Sequence, residues 1–181
     1  KMLGKIVTIA AAAAGGIMLS KHFRKSYDPD KSTVEESIEV NVPVSTAYNQ
    51  WTQFEDFPKF MKGVTEVHQI DDTHLHWRAR IGGREEEWDC EITEQTPDQR
   101  IAWHSTGGAE NAGVMTFHKI ADSRTRIMLQ MDYSPKGFVE GFGNALGAVG
   151  ARTRGDLKRF KKFIEEQGKE TGAWRGTVAQ H

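Results

Sequence analysis

The chain has 181 residues, enough for one domain with a sizeable core and a short extension at each end. Its 24 lysines and arginines balance 25 aspartates and glutamates, so no global charge argues for a nucleic-acid partner. The single cysteine, Cys90, excludes an intrachain disulfide and a paired-cysteine zinc site, and it fits a reducing compartment.

Lys1 precedes Met2 and is given no weight. Residues 6–19, IVTIAAAAAGGIML, form an uncharged apolar run between Lys5 and the basic cluster Lys21, His22, Arg24 and Lys25. As a helix the run extends about 21 Å, at about 1.5 Å per residue, against a bilayer core of about 30 Å. Three readings stay open: a weak membrane anchor or surface-seeking helix, a helix packed on the domain or a partner, and a cleaved signal segment. The basic cluster argues against the last. An anchor with this flank leaves the domain on the cytoplasmic side. Residues 1–25 are therefore read as one apolar segment with its basic flank, and 26–33, SYDPDKST, as a linker.

From Val34 the pattern becomes that of a folded domain, read as 34–167. VEESIEVNV places Val34, Ile38, Val40 and Val42 in alternation, a strand with one wet face that Pro43 ends. Ser45 is placed to cap a short helix carrying Ala47, Tyr48 and Trp51. FEDFPKFM follows, a cluster of Phe54, Phe57, Phe60 and Met61 on a second short helix broken or started at Pro58.

Six strand-like segments come next. GVTEVHQI turns at Asp71-Asp72. HLHWRARI sets Leu75, Trp77, Ala79 and Ile81 on one face and His74, His76, Arg78 and Arg80 on the other, before a Gly82-Gly83 turn. EEEWDCEIT alternates Trp88, Cys90 and Ile92 with Glu87, Asp89 and Glu91. After Pro97-Asp98, RIAWHS offers Ile101 and Trp103, and 107–113 reads as a loop. VMTFHKI presents Met115 and Phe117, and RTRIMLQMDY presents Thr125, Ile127, Leu129, Met131 and Tyr133. A long helix over about 137–167 then carries Phe138, Phe142, Leu146, Val149, Leu157, Phe160 and Ile164 in its apolar stripe. Residues 168–181 read as a flexible tail.

One strand, two short helices, six antiparallel strands and a long helix define an α+β fold with helices segregated from the sheet. Each strand has one apolar face, so the long helix must cover the sheet. A curved seven-stranded sheet around one helix leaves volume between them, and a cavity is inferred from that geometry. The first half of the helix, GFVEGFGNALGAVGA, holds glycines at 137, 141, 143, 147 and 150. All five in a helix interior would cost roughly 4–5 kcal/mol against alanine. Either the continuous helix starts near Ala151, or the glycines admit close backbone approach, or this half is a loose lid that opens to load a ligand.

The stretches YNQWTQFEDFPKFM, EEEWDCEITEQTPDQRIAWHS, NAGVMTFHKI and DLKRFKKFIEE resemble the START-like (SRPBCC) superfamily over residues 34–167. They are most similar to its polyketide cyclase/dehydrase and lipid-transport branch, which includes coenzyme-Q-binding START-like proteins. The resemblance implies a helix-grip fold, with a curved seven-stranded antiparallel sheet around a long C-terminal helix and two short helices after the first strand. It also implies a hydrophobic ligand cavity between sheet and helix. It specifies function poorly, because the branch spans cyclases and lipid carriers.

On that fold the inward set is Trp77, Trp88, Cys90, Trp103, Met115, Phe117, Leu129, Met131 and Tyr133, with Phe142 and Leu146 from the helix. As a ligand-binding wall it would suit an apolar guest; the plain alternative is that these side chains fill a core. Tyr133 and the indole N–H groups could bond a ligand carbonyl. Strand phase puts His74, His76, Arg78, Arg80, His104 and His118 on the wet face, which leaves ring-closing chemistry without an evident acid or base. A register error of one residue would reverse that. Cys90 reads as a small core residue, His74 and His76 near Asp71 and Asp72 as a solvated strand end and not a metal site, and Glu85–Glu87 as a charged hairpin. Arg154, Lys158, Lys161 and Lys162 form a basic stripe, read as a solvated helix face, with anionic lipid headgroups or nucleic acid as the alternatives.

The sequence therefore favours a carrier or sequestering protein for a hydrophobic small molecule, a lipid, isoprenoid quinone or polyketide-like ring, working near a membrane through residues 6–25 and the basic helix face. No cofactor, metal or nucleic-acid partner is expected. An aromatase/cyclase-type enzyme and a ligand-free protein-interaction module are the alternatives.

Overall fold

The computed structural model describes residues 32–134 and 145–179. In chain order these form β1 (Ser32–Val40), α1 (Val44–Trp51), a 3-10 helix (Phe54–Lys59), β2 (Val64–Gln69), β3 (His74–Ile81), β4 (Arg84–Thr96), β5 (Arg100–Gly108), β6 (Asn111–Ala121), β7 (Arg124–Tyr133) and α2 (Ala145–Gln167). The seven strands make one antiparallel sheet in the order β1-β7-β6-β5-β4-β3-β2. β1 and β2 thus lie on opposite edges, and the crossing between them carries α1 and the 3-10 helix. The apolar run 6–19, residues 1–31 as a whole and the glycines at 137, 141 and 143 lie outside the described residues. Among the described residues, no helix is long and apolar enough to cross a membrane.

The wet face of the sheet explains the charges that the sequence scatters along β3 and β4. His76 stands opposite Asp89, Arg78 opposite Glu87 and Arg80 opposite Glu85, with contacts of 2.7, 2.7 and 3.1 Å. Cross-strand pairs of opposite charge each stabilise a sheet by about 0.2–1 kcal/mol. The same register turns Leu75, Trp77, Ala79 and Ile81 to the concave face, with Trp77 directly opposite Trp88.

Three local expectations are corrected. Ser45 is not the helix cap: the N-cap is Pro43, extended at φ −57 and ψ 152 with its φ fixed by the ring, and its carbonyl accepts the Ala47 N–H at 3.1 Å. The span 107–113 is largely strand, because Gly107 and Gly108 extend the β5 ladder along β4 and Asn111 already pairs with Tyr133. Ser32 and Thr33, read as linker, are the first rungs of β1, where Thr33 donates to Asp132 at 2.6 Å.

α2 lies along the concave side and is held at both rims. Towards β1, Arg154 pairs with Glu36, Lys161 donates to the Glu39 carbonyl, and Glu165 accepts the Asn41 N–H. Towards the segment before β2, Arg152 donates to the Lys62 carbonyl, Asp156 accepts the Lys62 N–H, and Arg159 donates to the Phe60 carbonyl. Between these rails Leu157, Phe160 and Ile164 are buried. Phe160 meets Trp51 and Phe60 edge-on at 4.9 and 5.1 Å between ring centroids.

The helix is continuous through Gly147 and Gly150. A Cβ at Gly147 would meet nothing within 4 Å, and one at Gly150 would meet only a Glu36 carboxylate oxygen at 3.8 Å. Close packing therefore does not require these two glycines. Gly147→Ala is expected to stabilise the fold by about 0.5–1 kcal/mol in urea unfolding, the helix propensity gained.

Residues 168–179, read from the sequence as a flexible tail, lie across α1 and the β4–β5 turn. Thr171 N–H donates to the Gln50 side-chain oxygen at 2.9 Å, Trp174 N–H to the Thr52 hydroxyl at 3.0 Å, and Arg175 to both Asp98 carboxylate oxygens at 3.0 and 2.8 Å. Val178 forms a two-way backbone bridge with Gln95 at 2.9 Å. The tail thus satisfies the buried Gln50 side chain, which could not be left unpaired cheaply, and the backbone N–H and carbonyl of Gln95. Truncation after Gln167 is expected to lower stability by about 2–4 kcal/mol, read as a lower melting temperature with the far-ultraviolet spectrum retained.

Candidate functional site

The rails hold α2 off the sheet at its N-terminal half, and an apolar cavity of about 340 Å³ lies there. One wall is sheet: Leu75, Trp77, Ala79 and Ile81 of β3, Trp88, Cys90 and Ile92 of β4, Ile101 and Trp103 of β5, and Leu129 and Met131 of β7. The opposite side is Trp51, Phe54, Phe57 and Met61, with Ala148, Val149 and Leu157 of α2. Trp77 and Trp88 stack, with centroids 5.5 Å apart and planes 12° apart, and Phe57 leans on Trp77 at 5.5 Å. The Trp103 indole sits over Gly113, its partner on β6. A Cβ on Gly113 would come within 2.4 Å of its indole carbons, so only glycine lets the ring take this place.

Of the residues expected at the ligand wall, Trp77, Trp88, Trp103, Leu129 and Met131 line the cavity, with Cys90 beside them. Met115, Phe117 and Tyr133 do not line it; they are buried elsewhere on the concave side. Phe117 packs edge-on against Tyr48 of α1 at 5.3 Å, and Met115, paired across the sheet with Ile101, is itself fully buried. Tyr133 belongs to a separate small cluster with Val34, Met131 and Val149. Alternation along a strand chose the face, but the position along the strand decides between cavity and core. Phe142 and the side chain of Leu146 lie outside the described residues.

Sequence reading missed the polar end. Asn111, Arg152, Thr153 and Asp156 also face the cavity. Asn111 accepts the Trp103 indole N–H at 3.1 Å and donates to the Ala109 carbonyl at 3.0 Å, fixing the ring that lies on Gly113. Asp156 accepts from the Lys62 N–H at 3.0 Å and from Arg159. Burial raises its carboxyl above the ordinary range, against the lowering pull of Arg159. Arg152 reaches the Lys62 carbonyl at 2.6 Å, and burial draws its guanidinium below its usual value. Gly63 makes room for that guanidinium: at φ +96 it carries no Cβ, and one built there would stand 2.0 Å from an Arg152 nitrogen.

Among the described residues, the histidines take no part in the cavity lining. His74 bonds Asp71 at 2.9 Å in the β2–β3 turn, where backbone N–H groups, led by that of Thr73, hold the Asp71 carboxyl down at about 2. Among the described residues no group of His, Cys, Asp and Glu is arranged to hold a metal ion. Of the basic stripe, Arg154 and Lys161 are taken by the β1 rim, Lys162 sits 3.8 Å from Glu166, and Lys158 is exposed. Structural pairing accounts for most of that charge.

Cys90 accepts the Trp77 indole N–H at 3.2 Å, and burial pushes its thiol up to about 12. At pH 8 roughly one molecule in ten thousand then carries the thiolate. Native protein is expected to resist iodoacetamide for hours at pH 8 and to label within minutes in denaturant, read by intact mass.

A curved antiparallel sheet, a long C-terminal helix and an apolar space between them define a START-like helix-grip domain. The chain belongs to the polyketide cyclase/dehydrase and lipid transport family, whose model matches residues 40–162. It is 60% identical, over 81% of its length and 99% of the relative's, to an uncharacterised 17.2 kDa protein of Streptomyces lincolnensis. Two solved structures share the fold. The Zhui aromatase/cyclase of a Streptomyces species is 14% identical with a TM-score of 0.62, over 80% of this chain and 99% of that one. A START superfamily protein of Mycobacterium smegmatis is 13% identical with a TM-score of 0.59, over 75% and 95%.

Proposed function

We propose that this protein binds a hydrophobic small molecule between its sheet and α2, as a carrier or sequestering protein. The observation that carries the reading is the cavity itself, about 340 Å³ walled by aromatic and aliphatic side chains. An empty cavity of about 150 Å³ already takes up benzene, so this one has room for two or three rings. A lipid, an isoprenoid quinone head or a polyketide-like ring system are the candidate guests, with Trp77, Trp88, Trp103, Leu129 and Met131 as the contacting wall. Work near a membrane, through residues 6–25, suits a guest of this kind.

Titration with N-phenylnaphthylamine, followed by quenching of the tryptophans and rise of probe emission, tests the reading. Saturable one-to-one binding supports it. Absence of binding at probe concentrations up to its solubility contradicts it. A ring-closing cyclase is the second reading, and one observation favours it: Asp156, with its raised carboxyl, faces the cavity. Product formation from an aromatic poly-β-ketone, lost in Asp156→Asn, would decide for that reading.

A further inference from the structure

The polar end of the cavity is unbalanced. Arg152 and Asp156 both face the guest space. Asp156 is engaged by Arg159 and the Lys62 N–H. Arg152 has the Lys62 carbonyl, a neutral acceptor, and among the described residues no carboxylate forms an ion pair with it. Two guanidinium groups thus stand around one carboxylate. The surplus positive charge belongs to Arg152, which presents five N–H donors on a planar fork. One of its nitrogens donates to Lys62, and the fork is seated against Gly63, where any Cβ would displace it. The site is therefore built to hold this cation still at the edge of an apolar space. Arg152 is half-buried, and the carboxylate that acts on it, Asp156, is shared with Arg159; a guest that brings a second negative charge supplies a counter-ion of its own.

We propose that the cavity selects a ring-sized apolar ligand bearing one anionic oxygen group, a carboxylate or an equally acidic enol, and that Arg152 is the residue that selects it. The inference rests on the ligand-binding reading above and narrows its chemical class: neutral lipids and unsubstituted rings bind, but less well. The apolar body lies against Trp77, Trp88 and Trp103, and the oxygen group meets the Arg152 fork. Charge-assisted hydrogen bonds of this kind are the strong ones in a dry site.

Anthracene carboxylate and anthracene methanol share one apolar body and differ in charge, so their affinities separate the two ideas. By fluorescence titration at pH 7 the carboxylate is expected to bind at least about tenfold more tightly than the alcohol. In Arg152→Gln the carboxylate is expected to lose about tenfold while the alcohol changes by less than about threefold; Arg152→Lys retains the preference for the carboxylate. Equal affinities in the wild type, or an unchanged preference in Arg152→Gln, overturn the role of Arg152 and leave ligand binding standing. Binding of neither compound overturns both. Thermal unfolding of each variant separates a lost charge from a lost fold, and the alcohol's affinity reports an intact cavity.

Discussion

Replacing Phe160 with alanine is expected to cost about 3–5 kcal/mol of folding free energy, the largest loss from any single truncation on α2. Phe160 is fully buried and joins Trp51 of α1 to Phe60 just beyond the 3-10 helix. Phe57 then meets Trp51 and Phe60 at 5.1 and 5.3 Å, so one ring ties the helix to the whole aromatic floor. Its removal leaves a hole that neighbours on three separate elements cannot close together. Urea unfolding measures the loss directly. Because Trp51 and Phe57 also face the cavity, ligand affinity falls with stability in this variant. A cost below about 1 kcal/mol would mean that the floor is loosely packed and that the helix is held by its polar rails.

The second large effect separates cavity from core. Ala79 on β3 faces the cavity and is buried. In a solid interior, Ala79→Phe would be overpacked and would lose about 1–3 kcal/mol. Here the added ring enters free space close to half the size of the cavity, since about 150 Å³ holds one benzene. Stability is expected to stay within about 1 kcal/mol of the wild type while affinity for N-phenylnaphthylamine falls by about a hundredfold or more. The two replacements thus move in opposite ways: one empties a filled place and unfolds the protein, the other fills an empty place and silences it. A destabilised Ala79→Phe protein that still binds the probe would place the guest elsewhere.

Much of this architecture is legible in the sequence. β3 reads unambiguously because Leu75, Trp77, Ala79 and Ile81 alternate with four polar residues, and the structure keeps the β3–β4 register without a break as far as Glu91. Of two irregularities in the β4–β5 pairing, at Asp89/Cys90 and at Ile92/Glu94, the second places an extra residue on β4 and shifts its phase. A period of two cannot foresee a bulge, so the burial of Gln95 was not visible. Met115 and Phe117 show a different limit. They lie on the correct face of β6, but the sequence does not say that α1 covers that end of the sheet and fills it.

The polar end was hidden for a third reason. Arg152 and Asp156 lie in a helix rich in Arg, Lys and Glu, and such residues are usually solvated. Only the approach of the Lys62–Gly63 backbone makes them part of the cavity. The cluster Trp51, Phe54, Phe57 and Met61 carried a visible cue, its aromatic density, yet nothing local assigned it to a ligand wall. Asn111 was concealed in a presumed loop, because the glycines on either side resemble a turn more than a continuing ladder.

Mass measurement under native conditions, on full-length protein purified from its own host, tests the central claim most directly. The wild type is predicted to carry a small organic guest that gentle activation releases, and Ala79→Phe prepared identically is predicted to carry none. A wild type that flies at its bare polypeptide mass, indistinguishable from Ala79→Phe in guest content, would contradict the account.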